Sequence, residues 1–409
     1  MSSQDPRQSE VAWPDAVEPD LRTHWTLDAE VAFLNHGSFG ATPRVVLEQQ
    51  AELRARMERQ PVQFFVRDLE PMLDEARKTL ARFVGARADD LVFVPNVTTA
   101  FNAVVRTLPL SPGDELLTTS HGYNACSTAM QFVAERTGAV VKVAEVPFPV
   151  RSDDEVISAV LAAVGPRTRL AVIDHITSPT GLVLPIARLV EELELRGVDT
   201  FVDGAHAPGM VDVDVSAIGA AFYGANCHKW ICAPKGAGFL VVRPDKQEQV
   251  RPLCISHGAN SPRRDRSRYR LEFDWVGTDD PTPYLCVPRA IELMDSLLPG
   301  GWDAVRARNR ALVLAGRALI SQVLDVPSPC PDAMIGSLAA LPLPDGAPEV
   351  PTSSLYADPL QDDILRHSSV EVPVVPWPAP PKRLIRLSAQ LYNRREDYER
   401  LAGAMRDLL

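Results

Sequence analysis

Short apolar segments that alternate with helical ones place this 409-residue chain in the α/β class: a large domain with a mostly parallel seven-stranded sheet sandwiched by helices, and a smaller α+β C-terminal domain. The first observation is the alternation itself, with strand-like runs over 91–94, 115–119, 140–146, 169–176, 200–203, 221–223 and 238–242. The second is that several of these runs are apolar on consecutive residues, as expected of parallel strands covered on both faces. The third is a change of character after Val242, where proline-rich turns and longer helical patterns replace the alternation.

Taken in order, residues 1–25 are polar, acidic at their start and proline-bearing, and are expected to form a flexible arm. A large domain is expected over 26–285 and a small one over 286–409. The spacing of Leu69, Met72, Leu73, Ala76, Leu80 and Phe83 predicts a helix over 68–84, closed by Gly85. Asn96-Val97-Thr98 follows the first strand and opens a helix through Leu108; a further helix is predicted over 125–136. The stretch 256–270, with Arg263, Arg264, Arg266, Arg268 and Arg270, is expected to be a mobile loop with solvated charge. Helical patterns cover 288–298 and 302–324. Prolines over 342–351 and 373–381 frame weaker strands, and an amphipathic helix closes the chain after Glu396.

Apolar residues at 45% and charged residues at 23% suit a soluble globular enzyme, and a net charge of −11 argues against nucleic acid or an anionic membrane as partner. Cys126, Cys227, Cys232, Cys254, Cys286 and Cys330 are scattered, without metal-like spacing or a disulfide framework, which favours a reducing cytoplasm. Neither a signal-peptide stretch nor a membrane-spanning run is expected, and no G-x-G-x-x-G follows an early strand, so a dinucleotide site lacks support.

The most informative pairing is Lys229, in the run from Tyr223 to Trp230, with Asp203 at the end of a strand just upstream. A lysine amine forms an imine with the aldehyde of pyridoxal 5′-phosphate (PLP). A carboxylate at the pyridine nitrogen keeps that ring protonated, able to accept electrons from a substrate carbanion. Such a cofactor needs donors for its phosphate. Backbone amides at the helix start of Asn96-Val97-Thr98-Thr99 and the Thr98 hydroxyl suit it, and His228 is a second donor. Tyr123 or His121 would stack on one ring face, with Ala205 against the other. His206 and Ser178 are candidates for the ring hydroxyl. Arg386, in a strand-like segment with Ile385 and Leu387 on its other face, suits a substrate carboxylate. The glycine-punctuated stretch from Asn35 and His36 to Gly40 lets backbone approach a ligand.

The runs Val202 to Gly209, Asn226 to Trp230 and Asn96 to Ala100 resemble the class V aminotransferase group of fold-type-I PLP enzymes. The runs Leu34 to Gly40, Asp174 to Gly181 and Val372 to Trp377, with the Arg386 segment, are similar to its isopenicillin N epimerase-like subgroup. The resemblance implies Lys229 as the Schiff-base lysine, Asp203 as partner of the ring nitrogen, Thr98 and His228 at the phosphate, Arg386 at the substrate carboxylate, and Asn35 and His36 near the substrate. It implies a homodimer, with Thr278 reaching the neighbouring subunit's phosphate. Loss of a substrate Cα proton to Lys229 would lead to epimerisation, with Tyr123 or a water it holds as second donor. The alternatives are β-elimination of sulfur or transamination of the amino-acid-like substrate. Two departures stand out: no cysteine occupies 368–381, where desulfurases carry their nucleophile, and Asn226 stands where many relatives have serine.

Overall fold

The computed structural model of the protein describes residues 11–15, 20–348 and 358–409. Its strands are β1 (Ala32–Phe33), β2 (Leu91–Val94), β3 (Glu115–Thr119), β4 (Val140–Ala144), β5 (Thr168–Asp174), β6 (Asp199–Asp203), β7 (Phe222–Asn226), β8 (Gly238–Val242), β9 (Leu338–Pro342), β10 (Val370–Glu371), β11 (Val374–Pro376) and β12 (Arg383–Ser388). Seven of them form one sheet in the order β2-β8-β7-β6-β5-β3-β4. Only β8 runs against its neighbours; the pairs β3–β4, β3–β5, β5–β6 and β6–β7 are parallel. Helices cover both faces, which is why Leu91–Val94 and Phe222–Asn226 are buried throughout, with no in–out alternation. Six carboxyl ends, of β2 to β7, therefore gather along one edge of the sheet.

The helix Leu69–Phe83 lays Leu69, Leu73, Ala76 and Leu80 into the core, following the periodicity of its sequence. Its polar side meets the arginine-rich segment, and here the structure differs from expectation. Arg266 pairs with Asp74 at 2.6 Å and with Glu70 at 2.8 Å, and Arg270 reaches Asp74 at 2.8 Å. Arg77, almost fully buried, pairs with both Asp74 and Asp274. The segment is thus tied down by a partly buried ion network, and its Arg268–Phe273 part is helical. Sequence spacing showed the positive charges and not the acids that face them.

The described chain is already packed at Trp13, whose ring lies 5.9 Å from that of Tyr398, where the sequence suggested a free arm through residue 25. Leu21 and Trp25 are buried, and the Trp25 indole donates to the Ala41 carbonyl. The remainder of that arm, 1–10 and 16–19, lies outside the described residues, as does 349–357 of the proline-rich stretch. In the C-terminal part, β11, β12 and β9 form an antiparallel sheet with β12 in the middle. β1 pairs in parallel with β10, and Ser388 at the end of β12 donates its amide to Leu34. These bonds bring the Asn35–Gly40 segment and Arg386 to the same edge of the large sheet. Among the described residues, no helix is long and apolar enough to cross a membrane.

Candidate active site

A cavity of about 240 Å³ opens at that edge, lined by residues from five consecutive strand ends. Its wall follows the sheet: Val97 and Thr98 after β2, Asn226, His228 and Lys229 from β7, Asp203, Ala205 and His206 from β6, Asp174 and Ser178 from β5, and Tyr123 after β3. Such edges are the usual ligand sites of open parallel sheets, because the strand ends and helix starts converge there.

The β2 end is built for an anion. Asn96 caps the helix Val97–Val105 by accepting from the Thr99 amide at 2.9 Å, and Asn226 Oδ1 accepts from the Val97 amide at 3.0 Å. The Thr98 amide and hydroxyl donate to no protein group among the described residues, which leaves them free for a ligand at the helix start. His228 donates from Nδ1 to the Ala237 carbonyl at 2.8 Å, presenting Nε2 to the cavity; burial lowers its pKa to about 4.

The middle of the wall is acidic and dry. Asp203 accepts from the Ala205 amide at 2.9 Å and from the Cys126 thiol at 3.4 Å. Asp174, its register partner on β5, has one carboxylate oxygen buried without a partner. Burial pushes both carboxyl pKa values up, Asp174 further because Asp203 stands beside it. Sequence reading missed Asp174; a carboxylate ending each of two neighbouring parallel strands was the available signal.

Lys229 keeps some surface toward the cavity, yet its amine is surrounded by protein. Burial first, then the Arg386 charge, lowers its pKa to about 8. Its Nζ lies 3.0 Å from His206 Nε2. Arg386 is buried and donates to the Ser178 carbonyl at 2.6 Å and the Ser38 hydroxyl at 2.9 Å, while its Nε has no partner. It forms no ion pair among the described residues, and burial brings its pKa down to about 10. It stands behind Ser38 and Ser178, which do line the cavity.

Several expected residues are placed otherwise. His36 is fully buried beneath the lysine: Nε2 donates to the Lys229 carbonyl at 3.0 Å, Nδ1 accepts from Tyr392 at 2.8 Å, and its ring packs on Trp230. Asn35 bonds Glu371 at 3.0 Å and Ser38 at 2.5 Å. Neither lines the cavity; Ser38 and Phe39 represent that segment there. His121, the alternative stacker, is buried against Thr180, Val146 and Trp377, whereas Tyr123 is 42% exposed on the wall. Thr278 is exposed and away from its own chain's cavity.

The residues present fit PLP. An unpaired helix-start donor, a buried carboxyl that gains from a facing cation, a desolvated amine and an aromatic–alanine pair line one cavity, and unpaired polar atoms point to a polar, charged guest. Among the described residues no cluster suited to a metal ion occurs.

Comparison with known proteins agrees. Residues 36–272 match the family model described as Aminotransferase class-V. The chain is 37% identical to isopenicillin N epimerase of Amycolatopsis lactamdurans, over 97% of this chain and 99% of that protein. It is 32% identical to a probable chloroplastic L-cysteine desulfhydrase of Arabidopsis thaliana, over 96% and 85% of the two chains. Among solved structures, an apo cysteine desulfurase from Thermococcus onnurineus superposes with a TM-score of 0.78 at 21% identity, covering 97% of this chain and 99% of that one. With a family model spanning more than half of its residues and relatives aligned almost end to end, this chain belongs to the class-V aminotransferases.

Proposed function

We propose that this protein is a PLP-dependent epimerase: it takes the Cα proton from an amino-acid-like substrate and returns one to the opposite face, as in the isopenicillin N epimerase-like subgroup. The observation that carries the reading is one cavity wall holding a desolvated amine, a buried strand-end acid and, just behind it, a buried guanidinium without an acid partner. PLP, when bound, supplies an aldehyde for the lysine and an electron sink for the carbanion. Asp203 would hold the proton at the ring nitrogen, and the Thr98 amide and hydroxyl would donate to the phosphate. His228 would join them once the phosphate charge favours a proton on Nε2, and His206 and Ser178 would donate to the ring hydroxyl. Arg386 receives the substrate carboxylate through paired N–H donors. Lys229, neutral when released, removes the Cα proton. Tyr123 stays protonated because burial and the Asp203 charge raise its pKa, so it is a donor for the other face.

A second reading is β-elimination of a sulfur group, favoured by the relatives named as L-cysteine desulfhydrases. Incubation with candidate amino acids in deuterated water separates the outcomes. Racemised product carrying α-deuterium supports epimerisation. Pyruvate with released thiol would replace it by the lyase, and a keto acid by transamination.

The same reading makes the enzyme a cytoplasmic homodimer, with Thr278 completing the partner subunit's phosphate site. Support comes from a largely apolar groove of about 280 Å³ lined by Phe65, Leu253, Trp275 and Val276 beside Gly277. Leu253 and Val276 are exposed in it, and Ile255 is exposed in the adjoining chain. It also divides the chain near residue 285: the seven-stranded sheet ends at Val242, and the three-stranded sheet begins at Leu338.

A further inference from the structure

His206 sits between two nitrogen atoms whose hydrogen-bonding capacities differ. On one side the Trp230 indole Nε1 lies 3.3 Å from His206 Nδ1; on the other, Lys229 Nζ lies 3.0 Å from Nε2. An indole N–H can only donate, so Nδ1 must accept. A neutral imidazole then has its single hydrogen on Nε2, and that hydrogen points at the lysine. The lysine can answer only with a lone pair, which an ammonium does not have. Turning the ring over would set carbon against both nitrogens and lose both bonds.

We propose that Trp230 is a positioning residue that locks His206 in its Nε2–H tautomer and, through it, favours the free-amine form of Lys229. Burial first, then the Lys229 and Arg386 charges, disfavour an imidazolium there. The only acids that bear on the lysine are Asp203 and Asp174, whose carboxylates favour its ammonium form. The lock opposes them. With PLP bound, the same tautomer would give the cavity a donor at Nε2 suited to the ring hydroxyl's oxygen. The inference rests on the proposed role of Lys229, yet its first half concerns the protein without cofactor.

The test uses the cofactor-free protein labelled with ¹⁵N-histidine and ¹³Cε-lysine. The His206 signals should show Nδ1 without hydrogen and Nε2 with it, on both sides of the Lys229 titration. Trp230→Phe should allow both tautomers and raise the Lys229 pKa by about one unit, since an ammonium then gains an acceptor. His206→Gln keeps the order of acceptor and donor along its amide and should leave the Lys229 titration near its wild-type position. A hydrogen on Nδ1 in the wild type overturns the proposal. So does an unmoved tautomer and titration in Trp230→Phe, or, if that variant does not fold, a Lys229 titration in His206→Gln raised by a unit or more. A protein that never binds PLP would sink the proposed function and leave this measurement standing.

Discussion

On the proposed function Lys229 attacks an aldehyde and has to lose its proton first, a loss that burial brings closer to neutrality. Its folded pKa of about 8 lies below the ordinary 10.5, so between those values the unfolded chain holds a proton that the native one lacks. Stability contributed by this group therefore rises with pH through that window, and the destabilisation is fully present below about 8. Cofactor capture by the apo protein should speed up with pH to about 8 and level off above it, a profile that stopped-flow absorbance would record. Lys229→Ala should leave no borohydride-stable adduct and lower turnover by a factor on the order of 10²–10⁴ or more. Arg386→Ala should raise KM for an α-carboxylate substrate by about 10–100-fold, the size of one lost charge-assisted hydrogen-bond pair, with a smaller effect on kcat. The placement of Lys229, Asp203 and Arg386 around one cavity was legible in the sequence because each sits at a strand end or within a buried run. The placement of His36 was not, because it depends on Tyr392, 356 positions away, and on a backbone carbonyl. Asp174 was passed over because a lone carboxylate after a strand looks like a cap until the β5–β6 register sets it opposite Asp203.

Among the elements, the short Asn35–Gly40 segment has a strict requirement beside the site. Gly40 has φ of +71°, and a Cβ there would meet the His228 carbonyl oxygen at 2.2 Å and Lys229 Cα at 3.0 Å. A left-handed backbone with no room for a side chain accepts only glycine. Gly40→Ala should therefore move the strap that carries His228 and Lys229, lowering the melting temperature and weakening cofactor binding together; a loss of stability with unchanged PLP affinity would contradict this coupling. The strands were readable as apolar runs and the Leu69–Phe83 helix as a 3.6-residue period, because burial on one or both faces writes itself into composition. The arginine-rich segment was misjudged for the complementary reason. Charges look solvated in a linear chain, and only the fold reveals that Asp74 and Asp274 face them. Asp274→Ala should destabilise the protein by about 3 kcal/mol in denaturant titrations, because it strips a partner from a buried guanidinium.

At the scale of the whole molecule, Leu253, Ile255 and Val276 are exposed among the described residues, and the proposed dimer would cover them. Sedimentation should find a dimer, and Val276→Asp should shift it toward monomer and weaken PLP retention, since Thr278 lies two residues on. A tight-binding monomer would remove the partner from the account. The pairing of β1 with β10, and of Leu34 with Ser388, has a consequence for biosynthesis. The segment proposed to meet the substrate beside Arg386 is made long before the backbone partners it pairs with, Val370–Glu371 and Ser388. Until then Ala32–Phe33 is an edge with nothing to zip onto, and the nascent chain must wait with its reaction chamber unroofed. Chains truncated before Val370 should consequently neither hold substrate nor stay dispersed.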